Sequence, residues 1–249
     1  MRLIPTFFAA AMALSLVACG SGDDKAPIKG DQVAAVTPPA GKQWVDVAKK
    51  TEEGGYLIGN PDAKIKLVEY LSVTCPHCRE FEEEAFEPLL RDYVGTGKVS
   101  LEIRNFLLNP YDLPISILTR CSADEAYLPL TQQFYENQVS FMEGLQKVPQ
   151  PTLEAAMKQP ENSRWLALGQ AMGVVDFFKA RGVSEEQAKI CLTDPAQPKK
   201  LIAMTEKATN ELKVTGTPSF FINDVQIELT NQTPVWQQVK AKLAEAGAR

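Results

Sequence analysis

The feature that most limits what this chain can fold into is Cys75-Pro76-His77-Cys78, set between a strand pattern and a helix pattern. Residues 65–71 (IKLVEYL) are a short, β-branched and apolar run, which reads as a buried strand. Residues 79–94 place Phe81, Ala85, Phe86, Leu89 and Leu90 on one helical face. Pro88 is expected to kink that helix, and Gly95-Thr96-Gly97 to end it. Residues 98–106 (KVSLEIRNF) alternate Val99, Leu101 and Ile103 as a second strand. Two strands joined through a helix pair in parallel.

Proline is favoured at the first position of a helix, so Pro76 puts Cys75 at the N-cap. A sulfur there faces backbone N–H groups that have no partner within the helix. Those donors and the helix dipole favour the thiolate, the nucleophile of thiol–disulfide exchange. Cys78 lies one turn in and is expected to be the more buried, resolving thiol. His77 adds a donor or a positive charge nearby. A purely structural disulfide is the alternative for this pair. A metal site would need further ligands, and the chain has one histidine and no second C-x-x-C, so no metal or other cofactor is expected.

The region from Leu113 to about Pro195 reads as helical, with candidate helices at 114–141, 152–158, 163–180 and 184–192, followed by one at 197–212. Residues 219–223 and 225–229 read as a strand pair turning at Asn223-Asp224. Pro234 opens a last helix to Ala246, at N1, with Val235, Val239 and Leu243 on one face. Removing the helical block leaves a βαβ–αββα core, an α/β fold.

The ends of the chain speak to location. Arg2 precedes an uncharged run from Leu3 to Val17, too short to span a bilayer comfortably, which reads as a secretory signal over residues 1–18. The run closes in Leu16-Val17-Ala18-Cys19, which resembles the lipobox of bacterial lipoproteins, where the cysteine becomes lipid-modified. A plain signal peptide cut after Ala18 is the alternative. Residues 19–42 are rich in Gly, Pro, Asp and Lys and hold no aromatic, so they read as a flexible tether ahead of a domain at 43–249. The net charge is −5, with no basic stripe, which excludes nucleic-acid binding. An exported location, periplasmic or at the cell surface, lets disulfides persist.

The stretch Glu69-Tyr70-Leu71-Ser72-Val73-Thr74-Cys75-Pro76-His77-Cys78 resembles the active-site region of the DsbA family of thiol–disulfide oxidoreductases. Thr215-Gly216-Thr217-Pro218-Ser219-Phe220-Phe221-Ile222 resembles the family's cis-proline loop and the edge strand after it. The resemblance runs from about Trp44 to the C-terminus. It implies a thioredoxin-like fold with a helical domain inserted at about 110–195. It implies that Pro218 is cis beside the disulfide and that the Thr217 backbone pairs with extended substrate. Glu69 matches a buried acid that accepts the Cys78 proton, and Glu82 matches a second family acid. The chain departs from the family at Leu101, where a basic residue is common; Arg104 lies near.

Cys121 and Cys191 both fall in the helical block. An exported protein seldom keeps two free thiols, and some DsbA-like proteins carry a second pair there, so a structural disulfide is expected. Two buried hydrophobic cysteines are the alternative. The Thr217 hydroxyl is expected to donate a hydrogen bond toward the Cys75 sulfur.

The resulting expectation is a lipid-anchored, monomeric enzyme that introduces disulfides into unfolded exported proteins with free cysteines. A quinone-linked membrane oxidase of the DsbB type would reoxidise it. Isomerase or reductase activity, or a metallochaperone or holding chaperone using the same cleft, are the other readings.

Overall fold

A computed structural model describes residues 28–249; the signal at 1–18 and Cys19 lie outside the described residues. Strands β1 (Ala48–Lys50), β2 (Tyr56–Gly59), β3 (Ile65–Leu71), β4 (Val99–Asn105), β5 (Ser219–Ile222) and β6 (Val225–Gln226) make one mixed sheet in the order β1-β2-β4-β3-β5-β6. β3 and β4 pair in parallel, from Ile65 opposite Val99 to Leu71 opposite Asn105, and every other pairing is antiparallel. β1 and β2 were not signalled by the sequence pattern, and the second strand of the terminal pair is two residues rather than 225–229.

β3 is central and, apart from Lys66, buried along its whole length. Its side chains alternate between the two faces. Leu67 and Leu71 enter the main core with Phe81, Leu89, Phe220 and Trp236, while Val68 and Tyr70 join Ala208, Val214 and Phe221 on the other side. Glu69 shares the periodicity of Leu67 and Leu71, so the strand carries a carboxyl into the main core.

The first helix, α1 (Pro76–Leu89), starts at the proline and runs through Pro88. Just past Pro88 the chain widens into a π-helical turn over Leu90–Val94, closed by the Gly95 N–H on the Leu90 carbonyl at 2.7 Å. Seven helices follow before the chain returns to the core fold. The span read as one helix over 114–141 is three: α2 (Asp112–Thr119), α3 (Tyr127–Glu136) and α4 (Gln138–Gln146). Next come α5 (Gln150–Met157), α6 (Glu161–Ala171), α7 (Val174–Lys179) and α8 (Glu185–Thr193). α6 and α7 divide the expected 163–180 helix because Gly173 takes φ +76°, a conformation that costs glycine nothing and ends a helix. Then α9 (Ala196–Asn210) leads back to β5, and α10 (Val235–Glu245) closes the chain with Pro234 at its N-cap, one position before the expected N1.

α2 is buried at all eight residues and forms the centre of the insert. Cys121, just past its end, is disulfide-bonded to Cys191 on α8, with Cα atoms 6.0 Å apart. The bond spans 70 residues of sequence. In the chain-entropy account, closing a loop of that size stabilises by about 4 kcal/mol. The double substitution Cys121→Ala with Cys191→Ala is therefore expected to lower the unfolding free energy by about that amount. Urea unfolding of both proteins, with Cys75 and Cys78 in one fixed redox state, measures it; equal midpoints would remove the structural role.

Residues 28–36 correct part of the expected tether. The Gly30 N–H donates to the Glu245 carbonyl at 3.0 Å, Val33 to Gly247 at 2.9 Å and Val36 to Thr96 at 2.9 Å. Ile28 and Val33 pack against the core. This segment lies as a strap on the domain: a few apolar side chains in a polar stretch suffice when backbone groups at the end of α10 are free to pair.

Candidate active site

β3 ends at Leu71, and α1 begins at Pro76 after a four-residue loop. Cys75 is the N-cap of α1 with extended backbone, φ −77° and ψ 121°, and Pro76 stands at the first helical position. Both redox-candidate cysteines are free thiols; Cys75 is 4% exposed and Cys78 1%. On the far side of the sulfurs stands the loop before β5, where the Thr217–Pro218 peptide is cis. The Cys75 Sγ–H donates to the Thr217 backbone carbonyl at 3.3 Å. This corrects the expected contact: the thiol donates to the Thr217 main chain, and the Thr217 hydroxyl, buried, has no hydrogen-bond partner.

The two thiols are driven apart. Cys75 is drawn down to about 5, first by a hydrogen bond from the Cys78 thiol. The Thr217 hydroxyl and the N–H groups of Cys78 and His77 act the same way, against the cost of burial. The Thr217 hydroxyl, unpartnered beside the thiol, is the side-chain donor available to the ionised sulfur. Burial pushes Cys78 well up, and the neighbouring Cys75 and Glu69 charges push it further. The difference follows from position: one sulfur at the helix start, the other a turn inside the core.

His77 points outward. Its side chain is 73% exposed and its Nδ1 lies 2.9 Å from Glu80 Oε2, a contact that raises its pKa. Its backbone N–H, rather than its ring, acts most on Cys75. Beside it a cleft of about 460 Å³ is lined by Glu80, Phe81, Glu84, Pro234 and Val235 among others.

Glu69 is 2% exposed, pushed up to about 8 by burial first and then by the charge of Cys75. A carboxyl with that pKa holds its proton at neutral pH. Glu82, on α1, has a buried Oε1 with no partner, and burial followed by Glu69 and Glu136 raises its pKa well above the ordinary value. Leu101 is buried in the neighbouring strand, while Arg104 pairs with Glu102 at 2.9 Å and with the Tyr70 hydroxyl, away from the Glu69 face.

A second set of contacts was not signalled by the sequence. The helical insert grips the loop between β3 and α1. Asp112 accepts from Ser72 Oγ at 2.7 Å and from the Thr74 N–H at 3.0 Å, and Asn109 donates to Thr74 Oγ1 at 2.8 Å. The Tyr135 hydroxyl donates to the Ser72 carbonyl at 2.9 Å. The Gln138 amide donates to the Val73 and Cys75 carbonyls at 2.8 and 3.0 Å. The one available signal was a polar residue inside an otherwise apolar helical pattern.

The sequence model of the family described as Thioredoxin matches residues 51–241. The chain belongs to the thioredoxin family. Among its relatives, a Rickettsia bellii protein assigned as a protein-disulfide oxidoreductase is 33% identical over 183 residues, covering 73% of this chain and 62% of that protein. A Rickettsia felis protein assigned in the same way is 30% identical over 196 residues, or 76% of this chain and 63% of the relative. The chain thus spans about three fifths of the length of these relatives. A solved protein-disulfide isomerase from Novosphingobium aromaticivorans is 33% identical, with a TM-score of 0.69, over 75% of this chain and 96% of that one. Wolbachia pipientis alpha-DsbA1 is 20% identical with a TM-score of 0.61, over 80% and 94% of the two chains, and shows the shared fold. Within the thioredoxin family the chain therefore has the DsbA arrangement, a thioredoxin-like fold interrupted by a helical insert.

The unpartnered Thr217 hydroxyl offers a test of this loop. Thr217→Val keeps the volume and deletes the donor. A hydrogen bond to a charged group contributes about 1.5–3 kcal/mol, which for a two-electron couple is about 30–60 mV. Thr217→Val is expected to raise the Cys75 pKa and make the pair less oxidising by that amount, read by redox titration. An unchanged or more oxidising variant would show that the hydroxyl never turns to the sulfur.

Proposed function

We propose that the protein is an exported thiol–disulfide oxidoreductase that introduces disulfides into other exported proteins through Cys75 and Cys78. The observation that carries this reading is the geometry of two free thiols one helical turn apart, Cys75 at the N-cap of α1 against the Thr217 carbonyl and Cys78 inside the core.

In the oxidised protein Cys75 and Cys78 share a disulfide. A substrate thiolate attacks Cys75 Sγ, a mixed disulfide forms, and Cys78 leaves. Cys78 has the higher proton affinity, and the protonated Glu69 beneath it supplies the proton. A second substrate thiolate then attacks the substrate sulfur of the mixed disulfide and expels Cys75, a good leaving group because its thiolate is stabilised. The substrate dithiol is oxidised by two electrons and the Cys75–Cys78 disulfide reduced by two. Extended substrate pairs with the Thr217 main chain, and its flanking residues enter the cleft beside His77.

The substrates in this reading are unfolded exported proteins with free cysteines, and a quinone-linked membrane oxidase of the DsbB type restores the disulfide. Cys19 carries the lipid anchor, the protein acts as a monomer, and the site lies in the periplasm or at the cell surface. Among the described residues no helix is long and apolar enough to cross a membrane. A second reading, disulfide isomerase, is favoured by the name of the Novosphingobium relative.

Oxidised protein mixed with a reduced, unfolded protein bearing two cysteines separates the two. Oxidation of the substrate, one disulfide per Cys75–Cys78 pair consumed, supports the oxidase. Reshuffling of a scrambled substrate by the reduced protein, with little net oxidation, would favour the isomerase.

A further inference from the structure

Gln138 is the first residue of α4, is 3% exposed, and belongs to the insert rather than to the thioredoxin core. A buried primary amide is costly unless its protons are used. Both go to one place: Nε2 lies 2.8 Å from the Val73 carbonyl and 3.0 Å from that of Cys75. These two carbonyls bracket the peptides that deliver Cys75 to the helix. The Cys75 carbonyl already accepts the Arg79 N–H, at 3.3 Å, as the first bond of α1. Gln138 therefore ties the N-cap peptide of the redox helix to the insert. The other groups that grip this loop, Asp112, Asn109 and Tyr135, reach Ser72 and Thr74 but not the Cys75 peptide.

We infer that Gln138 is a positioning residue for the redox pair, through which the helical insert sets how strongly the Cys75–Cys78 disulfide oxidises. The inference rests on the reading of that pair as redox-active. Two effects have the same sign. The amide fixes the extended backbone at Cys75, so the sulfur stays at the start of α1, beside N–H groups that have no partner within the helix. It also points the positive end of its dipole at the segment that carries the thiolate. Both favour the reduced, ionised form over the disulfide, where the sulfur carries no charge. A more stable reduced form is a stronger oxidant.

Gln138→Met preserves length and removes both donors. Gln138→Glu preserves shape, removes at least one donor and adds an acid. Each variant is equilibrated with reduced and oxidised glutathione, and the melting temperature is recorded for the oxidised and reduced proteins. Tyr135→Phe, which removes a donor to the adjacent Ser72 carbonyl, serves as the comparison. The equilibrium constant for reduction by glutathione is expected to fall on the order of tenfold in both Gln138 variants, with the reduced form losing more stability than the oxidised form. Tyr135→Phe is expected to lower both melting temperatures and leave that constant within threefold of wild type. If both Gln138 variants stay within threefold while melting lower in both redox states, Gln138 is structural only and the inference is overturned. If one variant fails to fold, the other decides by the same threshold. A wild-type pair that does not equilibrate with glutathione would instead overturn the redox reading itself.

Discussion

In the reduced protein a single thiol is expected to ionise near pH 5, and Cys75→Ser to remove that titration altogether. Its cause is position: Cys75 is held down to about 5 by the Cys78 thiol, the Thr217 hydroxyl and the N–H groups at the start of α1. Cys78→Ser leaves a hydroxyl in place of the first donor, so the remaining thiol is expected to titrate below an ordinary cysteine, though higher than in the wild type. Thiolate absorbance against pH is the sharpest readout. Alkylation rate is blunter, because a sulfur that ionises more easily is also a weaker nucleophile. For transfer itself the effects are large. Cys75→Ser is expected to abolish disulfide exchange, whereas Cys78→Ser should accumulate as a mixed disulfide with substrate, visible on non-reducing gels. A low-pKa thiol surviving in Cys75→Ser would reverse the assignment of the two sulfurs.

Glu69→Gln should make the protein more stable and the redox step slower. The buried carboxyl is pushed up to about 8 in the folded state. The folded protein therefore keeps a proton that the unfolded chain releases at an ordinary carboxyl pKa near 4.3. The linked stability is fully present below that ordinary pKa and is lost as pH rises through about 8. Replacing the acid by a neutral amide removes this loss, and at pH 7 the gain is on the order of 3–4 kcal/mol. The difference should shrink toward pH 4 and grow toward pH 8. Glu82 has a raised pKa of its own, so some pH dependence of the same sign remains. The amide cannot give a proton to the departing Cys78, so reduction of the disulfide by a small dithiol should slow about 100-fold. Urea midpoints at several pH values, paired with stopped-flow reduction, test both halves. Equal stability at all pH values would place Glu69 outside the core.

These expectations rest on features that differ in how openly the sequence states them. The redox helix is legible because three local signals agree: an apolar run into Cys75, a proline where a helix accepts one, and an apolar helical face after Cys78. The buried position of Glu69 is expected only through the family resemblance; the run 65–71 reads as a buried strand without saying which way its one acid faces. Other features are not local. β1 is three residues, Ala48-Lys49-Lys50, partly or fully exposed, and exists because β2 offers it an edge. The break after Thr119 interrupts apolar spacing that is compatible with a continuous helix, so tertiary packing decides it. The Thr217 hydroxyl and the main-chain carbonyl beside it are equally reachable on paper; only the side-chain conformation selects which one meets the sulfur. Gln138 is the hardest to see. It contacts backbone carbonyls 65 and 63 residues away, and backbone acceptors carry no residue identity for a pattern to reveal.

The central claim is that the Cys75–Cys78 pair is an oxidant because its reduced form is stabilised at Cys75. Its reduction potential, from equilibration with glutathione, tests this most directly. The account predicts a value above about −180 mV, in or beyond the range of protein disulfide isomerase. A value at or below that of thioredoxin, about −270 mV, would mean that the pair donates electrons to substrates rather than taking them, and would contradict the account.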